Sequence, residues 1–149
     1  MSLENWCKAG WLHELEPDPA YIASMMKKAW RDLKLCQCVE DEDDGWCHSM
    51  AYAAILKAAT VALAAKGYRT AGNSHHYRAL KSLVFTIGID QETVDKLDKH
   101  RKKRHITFYG TDGVVTKNDA NYARIAATDI LEKVHQWLLR EHPELIAKT

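Results

Sequence analysis

The sequence predicts an all-α fold, an antiparallel bundle of about five helices with a short helix docked on it at the N-terminal end. Apolar residues recur at steps of three and four along five segments, which is the spacing of one buried helix face. Residues that start or stop helices stand between these segments. No stretch longer than a few residues alternates apolar and polar positions as a strand does. A chain of 149 residues fits one domain, and we expect residues 1–149 to form a single core.

The first long helix is predicted from Pro19 to about Cys36. Asp18 is placed as its N-cap, and Pro19 suits the first helical position, where a missing N–H has no consequence. The residues of its predicted buried face are Ile22, Met25, Met26, Ala29, Leu33 and Cys36.

The second helix is predicted from Trp46 to Lys66, after an acidic loop at residues 40–44. Asp43 or Asp44 is placed to cap it, and Gly67 is a natural stop. Because this helix is rich in alanine nearly all round, it is expected to lie at the centre of the bundle.

The third and fourth helices follow short polar connections. Ser74 is a predicted N-cap for a helix over residues 75–87, and Asp90 caps one from Gln91 to Tyr109 that Gly110 closes. Both segments carry apolar residues at helical spacing. They are therefore predicted to pack on the central helix.

A fifth helix and a short N-terminal piece complete the predicted bundle. Thr116 with Asp119 three residues later resembles a capping box, which opens a helix to about Arg140. Trp6 and Trp11 near the N-terminus are expected to dock as part of a small helix, because exposed tryptophans are unfavourable.

The charges nearly cancel but are segregated. Lys and Arg number 21 against 20 Asp and Glu, so the net charge of +1 does not indicate a general nucleic-acid binder. Residues 40–44 read EDEDD, whereas residues 99–105 read KHRKKRH. The near-neutral total therefore contains one acidic and one basic patch.

The four cysteines, Cys7, Cys36, Cys38 and Cys47, do not indicate secretion, because the first residues lack the basic end and apolar run of a signal peptide. We expect a cytoplasmic protein with reduced thiols, and Cys36 and Cys47 fall on positions that suit buried thiols. The apolar run from Met50 to Ala65 contains Lys57 and is too short for a bilayer, so no membrane contact is predicted.

No cofactor or metal is predicted. The cysteine spacing does not match the paired C-x-x-C pattern of structural zinc, and the acidic loop lacks the alternating ligands of a calcium site. None of the glycine-rich motifs of nucleotide-hydrolysing enzymes or serine hydrolases occurs.

The basic patch places cations on the face of the fourth helix that should be buried. Stepping about 100° per residue puts Arg101, Arg104 and His105 on the same arc as apolar Val94 and Leu97. The lysines at positions 96, 99 and 103 fall on the opposite, solvated side. Burying a guanidinium without a partner costs too much free energy. The arginines must therefore meet carboxylates, line a cleft with an anionic ligand, or lie at a subunit interface. Available carboxylate partners are Asp32, Asp129 and Glu132.

Several segments together resemble the HEPN superfamily. They are Ala51–Arg69, ending in GYR, Gly72–Leu80 with its His-His pair, and the run Arg101, Arg104, His105 and Tyr109 within LDKHRKKRHITFYG. The resemblance covers most of the chain from about Asp18 onward. It implies a bundle of about five helices that pairs as a homodimer.

The resemblance also implies a function and a site. Many HEPN domains resemble metal-independent ribonucleases of toxin–antitoxin and defence systems. Their genes often lie beside that of a nucleotidyltransferase, which the resemblance implies as a partner. In them a histidine acts as general acid or base while an arginine stabilises charge on the phosphate. The positions that match are Arg101, Arg104 and His105 as catalytic candidates, with Tyr109, Arg69, His75 and His76 as candidate ligand-binding residues.

Three interpretations remain open at this point. In the family the histidine follows the arginine after a longer interval than Arg101 to His105 or Arg104 to His105 provides. This spacing favours a homodimeric binding or regulatory module for nucleic acid, a nucleotide or a partner protein. The alternative is a metal-independent RNase toxin that uses His105 with Arg101 or Arg104. A dimer interface without a ligand is a third, plainer interpretation.

Overall fold

The computed structural model describes residues 2–72, 75–109 and 115–146, with the side chains of residues 105–109 excepted. These residues form six α-helices and two short strands, and a single 3-10 turn follows the last helix. In chain order the elements are α1 Leu3–Lys8, β1 Leu12–Glu14, α2 Pro19–Val39, α3 Asp44–Ala65, β2 Tyr68–Thr70, α4 His75–Thr86, α5 Gln91–Tyr109, α6 Lys117–Glu141 and the 3-10 turn Pro143–Leu145.

The all-α bundle predicted from the sequence is confirmed. Its five long helices lie where the apolar spacing placed them, and the limits of α5 are those predicted. The observed α2 and α3 each begin or end within about three residues of the prediction, as is usual for helix ends. The predicted cap Ser74 and the predicted stop Gly110 lie outside the described residues.

Helix α3 lies at the centre of the bundle, as its composition predicted. It packs against α2, α4, α5 and α6, and all of its alanines except Ala53 are buried. Small side chains let the neighbouring helices approach closely, and Gly67 ends the helix with the positive φ of 92° that favours glycine. By length and hydropathy α3 would also suit a membrane span, but 72% of its most apolar window is buried in the bundle. That burial fits a core helix.

Local capping fixes where the long helices begin. The backbone N–H of Ala20 donates to Asp18 at 3.0 Å, and that of Trp46 donates to Asp43 at 2.9 Å. Thr116 and Asp119 form the predicted capping box at the start of α6. Each cap satisfies an N–H group that the helix itself leaves without a partner.

Replacing Asp43 by alanine is expected to destabilise the protein by about 1 kcal/mol, because the first turn of α3 loses its side-chain acceptor. Asp41→Ala is the matched control, since it removes the same charge from the same acidic loop outside the cap. Urea unfolding of both variants measures the difference. Equal midpoints for the two variants would contradict the assignment of Asp43 as the cap.

The N-terminal segment differs from the prediction in two respects: the small helix ends at Lys8, before Trp11, and Leu12 belongs to a strand. Strand β1 pairs antiparallel with β2, and Leu12 lies opposite Thr70. The sequence predicted a loop after Gly67, and it missed this pairing because strands of three residues are too short to show an alternating pattern. The predicted docking of the N-terminal tryptophans is observed, with the Arg78 guanidinium 3.5 Å from the ring centroid of Trp11.

The cysteines divide into buried and accessible ones. Cys36 of α2 and Cys47 of α3 are both buried, as predicted, and their Sγ atoms lie 3.1 Å apart. Burial raises the pKa of both thiols, so they remain protonated and unreactive at neutral pH. Cys7 is half-buried and Cys38 exposed, and all four are free thiols.

Candidate functional site

Helix α5 carries its two predicted arginines on the side that faces the bundle. Val94 and Leu97 are buried at 0% and 1% exposure, and Arg101 and Arg104 follow them as half-buried residues. Apolar residues thus anchor the first half of this face, and arginines continue it. His105 and Tyr109 belong to the same helix, but their side chains lie outside the described part of the structure.

Arg101 has a carboxylate partner on its own helix. Its Nε–H donates to Oδ1 of Asp98 at 2.7 Å, and the Asp98 carboxylate is itself mostly buried. Of the three partners considered from the sequence, Asp32 pairs with Lys57 across α2 and α3, Asp129 pairs with Lys133, and Glu132 is exposed on α6. A guanidinium has five N–H donors, so the bond to Asp98 uses only one of them.

Arg104 lies against α3 one helical turn further along. Its Nε–H donates to Oγ of Ser49 at 3.1 Å, and its guanidinium carbon is 5.3 Å from the ring centroid of Tyr52. The serine hydroxyl is neutral, so this bond orients the guanidinium. The distance to the tyrosine ring is within the range of a cation–π contact.

Tyr52 brings a buried hydroxyl group to the two arginines. The side chain is 1% exposed, and its hydroxyl has no hydrogen-bond partner among the described residues. Burial raises the pKa of Tyr52, and the positive charges of Arg101 and Arg104 offset only part of this rise. The hydroxyl therefore stays protonated at neutral pH and can donate a hydrogen bond. A buried hydroxyl without a partner is unfavourable unless something else supplies an acceptor.

His76 completes this cluster from the first turn of α4. Its ring centroid lies 6.1 Å from that of Tyr52. Loss of hydration lowers the pKa of His76, and the positive charges of Arg104 and Arg101 lower it further. The imidazole is therefore neutral near pH 7 and able to accept a proton. We call Tyr52, His76, Arg101 and Arg104 the arginine cluster.

The other two predicted ligand-binding residues are associated with β2. The Nδ1 atom of His75 is 2.9 Å from the hydroxyl oxygen of Thr70, which directs the ring toward β2. Arg69 lies on β2 opposite His13, and its side chain is exposed. None of the described contacts joins Arg69 to α5, so its role as a ligand-binding residue remains a prediction.

The family model of the HEPN domain matches residues 22–137. The chain belongs to the HEPN family. The matched range runs from the first turn of α2 to the last turns of α6 and contains every residue of the arginine cluster. None of the curated proteins matches the chain in sequence.

This HEPN domain also contains a histidine pair that the sequence did not reveal. His48 of α3 and His100 of α5 lie with Nε2 and Nδ1 2.9 Å apart, and His100 stacks on Tyr122 of α6. His100 precedes Arg104 by four residues on one helix, and His48 precedes Tyr52 by four on the other. This shared spacing was the sequence feature that could have indicated the histidine pair. It does not show which helices face each other or how deeply the histidines are buried.

The lysine face of α5 is less solvated than the sequence suggested. Lys103 pairs with Asp119 of α6 at 2.8 Å, and Lys96 lies 5.8 Å from the ring centroid of Tyr122. Lys96 and Lys99 are exposed, as predicted, whereas Lys103 is half-buried because α6 begins beside it and supplies a carboxylate. Lys103 therefore helps to fasten α5 to α6.

The described residues show no arrangement typical of a metal centre. Within residues 2–72, 75–104 and 115–146, no three histidine, cysteine or acidic side chains converge as ligands. What the arginine cluster offers is two guanidinium groups, one hydroxyl donor and one neutral imidazole. These groups suit an anion with several acceptor oxygens.

Proposed function

We propose that this HEPN domain binds a phosphate group of RNA or of a nucleotide between α3, α4 and α5. The observation that carries the proposal is the Arg104 guanidinium 5.3 Å from the ring of Tyr52, with Arg101 one turn earlier on α5 and near enough for its charge to act on the Tyr52 hydroxyl. An arriving phosphate would accept hydrogen bonds from both guanidinium groups, and also from the buried Tyr52 hydroxyl if binding opens the site enough to admit it. The predicted homodimer, the cytoplasmic location and the possible nucleotidyltransferase partner belong to the same proposal.

The chemistry of the cluster favours a phosphate. Planar guanidinium groups present parallel N–H donors that match the spacing of phosphate oxygens. Tyr77 is 37% exposed and lies 6.0 Å from the Arg101 guanidinium, which supplies an aromatic face beside the cations. Aromatic rings next to arginines are the arrangement that holds single-stranded bases along with their backbone. Single-stranded RNA is therefore the preferred ligand.

Removing one guanidinium tests this function. Arg104→Ala is expected to lower the affinity for a fluorescent single-stranded RNA roughly 10-fold or more, because a charge-assisted hydrogen bond contributes about 1.5–3 kcal/mol. Arg31→Ala is the control, since it removes an exposed arginine from α2. Fluorescence anisotropy measures both affinities. Equal affinities of the two variants would contradict the proposed site.

A metal-independent ribonuclease is the second candidate function. It is favoured by one observation: His76, a neutral imidazole, lies near enough to two guanidinium groups for their charges to lower its pKa, as a general base beside a phosphate would. His105 retains the same candidate role from the resemblance. Incubating RNA with the protein in EDTA, with His76→Gln and His105→Gln variants in parallel, decides between the candidates. If the parent protein leaves the RNA intact, the ribonuclease function is excluded and the binding function remains.

A further inference from the structure

The histidine pair joins α3 to α5 deep inside the bundle. His48 is fully buried at 0% exposure, and its Nε2 atom lies 2.9 Å from Nδ1 of His100. The His100 ring stacks on Tyr122, with centroids 4.6 Å apart and planes inclined by 15°. One turn later on α5, Arg104 reaches Ser49, the residue after His48. The two hydrogen bonds therefore fasten adjacent turns of α5 to the same turn of α3.

Only the neutral form of this pair satisfies its atoms well. Nδ1 of His48 is buried without a hydrogen-bond partner among the described residues. A buried N–H without an acceptor is worse than a buried lone pair without a donor, so the proton of His48 belongs on Nε2, donating to Nδ1 of His100. A proton added to Nδ1 of His100 would place two N–H groups against each other. A proton added to His48 would create a buried, unpartnered N–H.

The charges around the pair also oppose a further proton. Lys96, Lys103 and Arg104 of α5 are positive, and Asp119 of α6 is the acidic group that acts on both rings. Asp119 is already paired with Lys103, so its compensation is limited. Burial lowers the pKa of His48 from its ordinary 6.5 to about 4, and the neighbouring His100 adds to this effect. Burial likewise lowers the pKa of His100.

We propose that His48 and His100 are positioning residues for Arg104, and that protonation of the pair releases this turn of α5 from α3. Release of the turn removes Arg104 from its place beside Tyr52. The effect on ligand affinity rests on the proposed function of the arginine cluster. The release itself does not, and it is measured without any ligand.

The direction of the pH effect follows from the lowered pKa of His48. In the released state the exposed ring titrates near 6.5, whereas in the docked state it titrates near 4. The docked state therefore has its full stability above pH 6.5 and loses it as the pH falls toward 4. For one such group, the equilibrium constant for release rises roughly 20-fold between pH 7 and pH 5.

Amide hydrogen exchange of α5 tests the release in the ligand-free protein. After correction for intrinsic rates, the amides of the turn that holds Arg104 are expected to exchange roughly 20-fold faster at pH 5 than at pH 7. The variant His48→Gln with His100→Asn places amide groups where the bonded nitrogens lie and cannot titrate. It is expected to show little of this change. His135→Gln, on the exposed face of α6, is the control that should behave like the parent.

Affinity for single-stranded RNA tests the connection to the arginine cluster. Affinity falls only through the released fraction, so if about a tenth of the molecules are released at pH 7, the parent loses roughly threefold more affinity by pH 5 than the Gln–Asn variant, which keeps the same His76. Exchange in the parent that does not change with pH, or equal pH dependence of exchange in both proteins, would overturn the proposal. If the parent binds no RNA at pH 7, the proposed function fails. Amide hydrogen exchange of the ligand-free parent then decides by itself whether the histidines position α5.

Discussion

Reversing the charge of both arginines is expected to lower the affinity for single-stranded RNA by at least 100-fold. Arg101→Glu with Arg104→Glu removes two charge-assisted hydrogen bonds of about 1.5–3 kcal/mol each and places two carboxylates against the phosphate. Fluorescence anisotropy measures the affinity at fixed ionic strength. Circular dichroism of the variant establishes that the helices are retained.

The matched control is a double variant with the same change in net charge on a different helix. Lys28→Glu with Arg31→Glu reverses two exposed cations, also three residues apart, on the outer face of α2. If both double variants lose the same affinity, the RNA responds to the total charge of the protein and not to the arginine cluster. A large loss confined to the α5 variant is the expected result.

Truncating Tyr52 is expected to have the largest effect on stability. The side chain is 1% exposed between α3 and its neighbours, so Tyr52→Ala leaves a cavity and costs about 3–5 kcal/mol. Tyr52→Phe removes only the hydroxyl, which has no partner among the described residues, and should leave the free energy of unfolding equal or slightly higher. Urea unfolding measures both variants.

The phenylalanine variant separates packing from ligand binding. If the Tyr52 hydroxyl donates to a bound phosphate, Tyr52→Phe lowers RNA affinity severalfold while the protein remains as stable as the parent. A loss of stability without a change in affinity would assign the hydroxyl to the fold alone. Both outcomes are read from the same purified variant.

The helices could be predicted from the sequence because their signals are local. The capping box of Thr116 and Asp119 and the cap that Asp90 supplies to Thr93 involve residues three positions apart. The buried face of α5 follows from the spacing of Val94 and Leu97. Each of these signals involves residues within one or two helical turns, and each was observed where it was predicted.

The site could be predicted only in part, because it is assembled from three helices. Spacing along α5 placed Arg101 and Arg104 on one face, as observed. It could not show that His76 of α4 would approach them, because that depends on how α4 and α5 pack. The hydrogen bond between His48 and His100 joins residues 52 positions apart, and no local pattern marks such a pair.

The salt dependence of RNA binding tests the central claim most directly. For single-stranded nucleic acid, the logarithm of the affinity falls with the logarithm of salt concentration with a slope of about −0.7 per phosphate contacted. If Arg104 contacts a phosphate, Arg104→Ala makes this slope shallower by about 0.7, whereas Arg31→Ala leaves it unchanged. Identical slopes for the parent and Arg104→Ala would contradict the account.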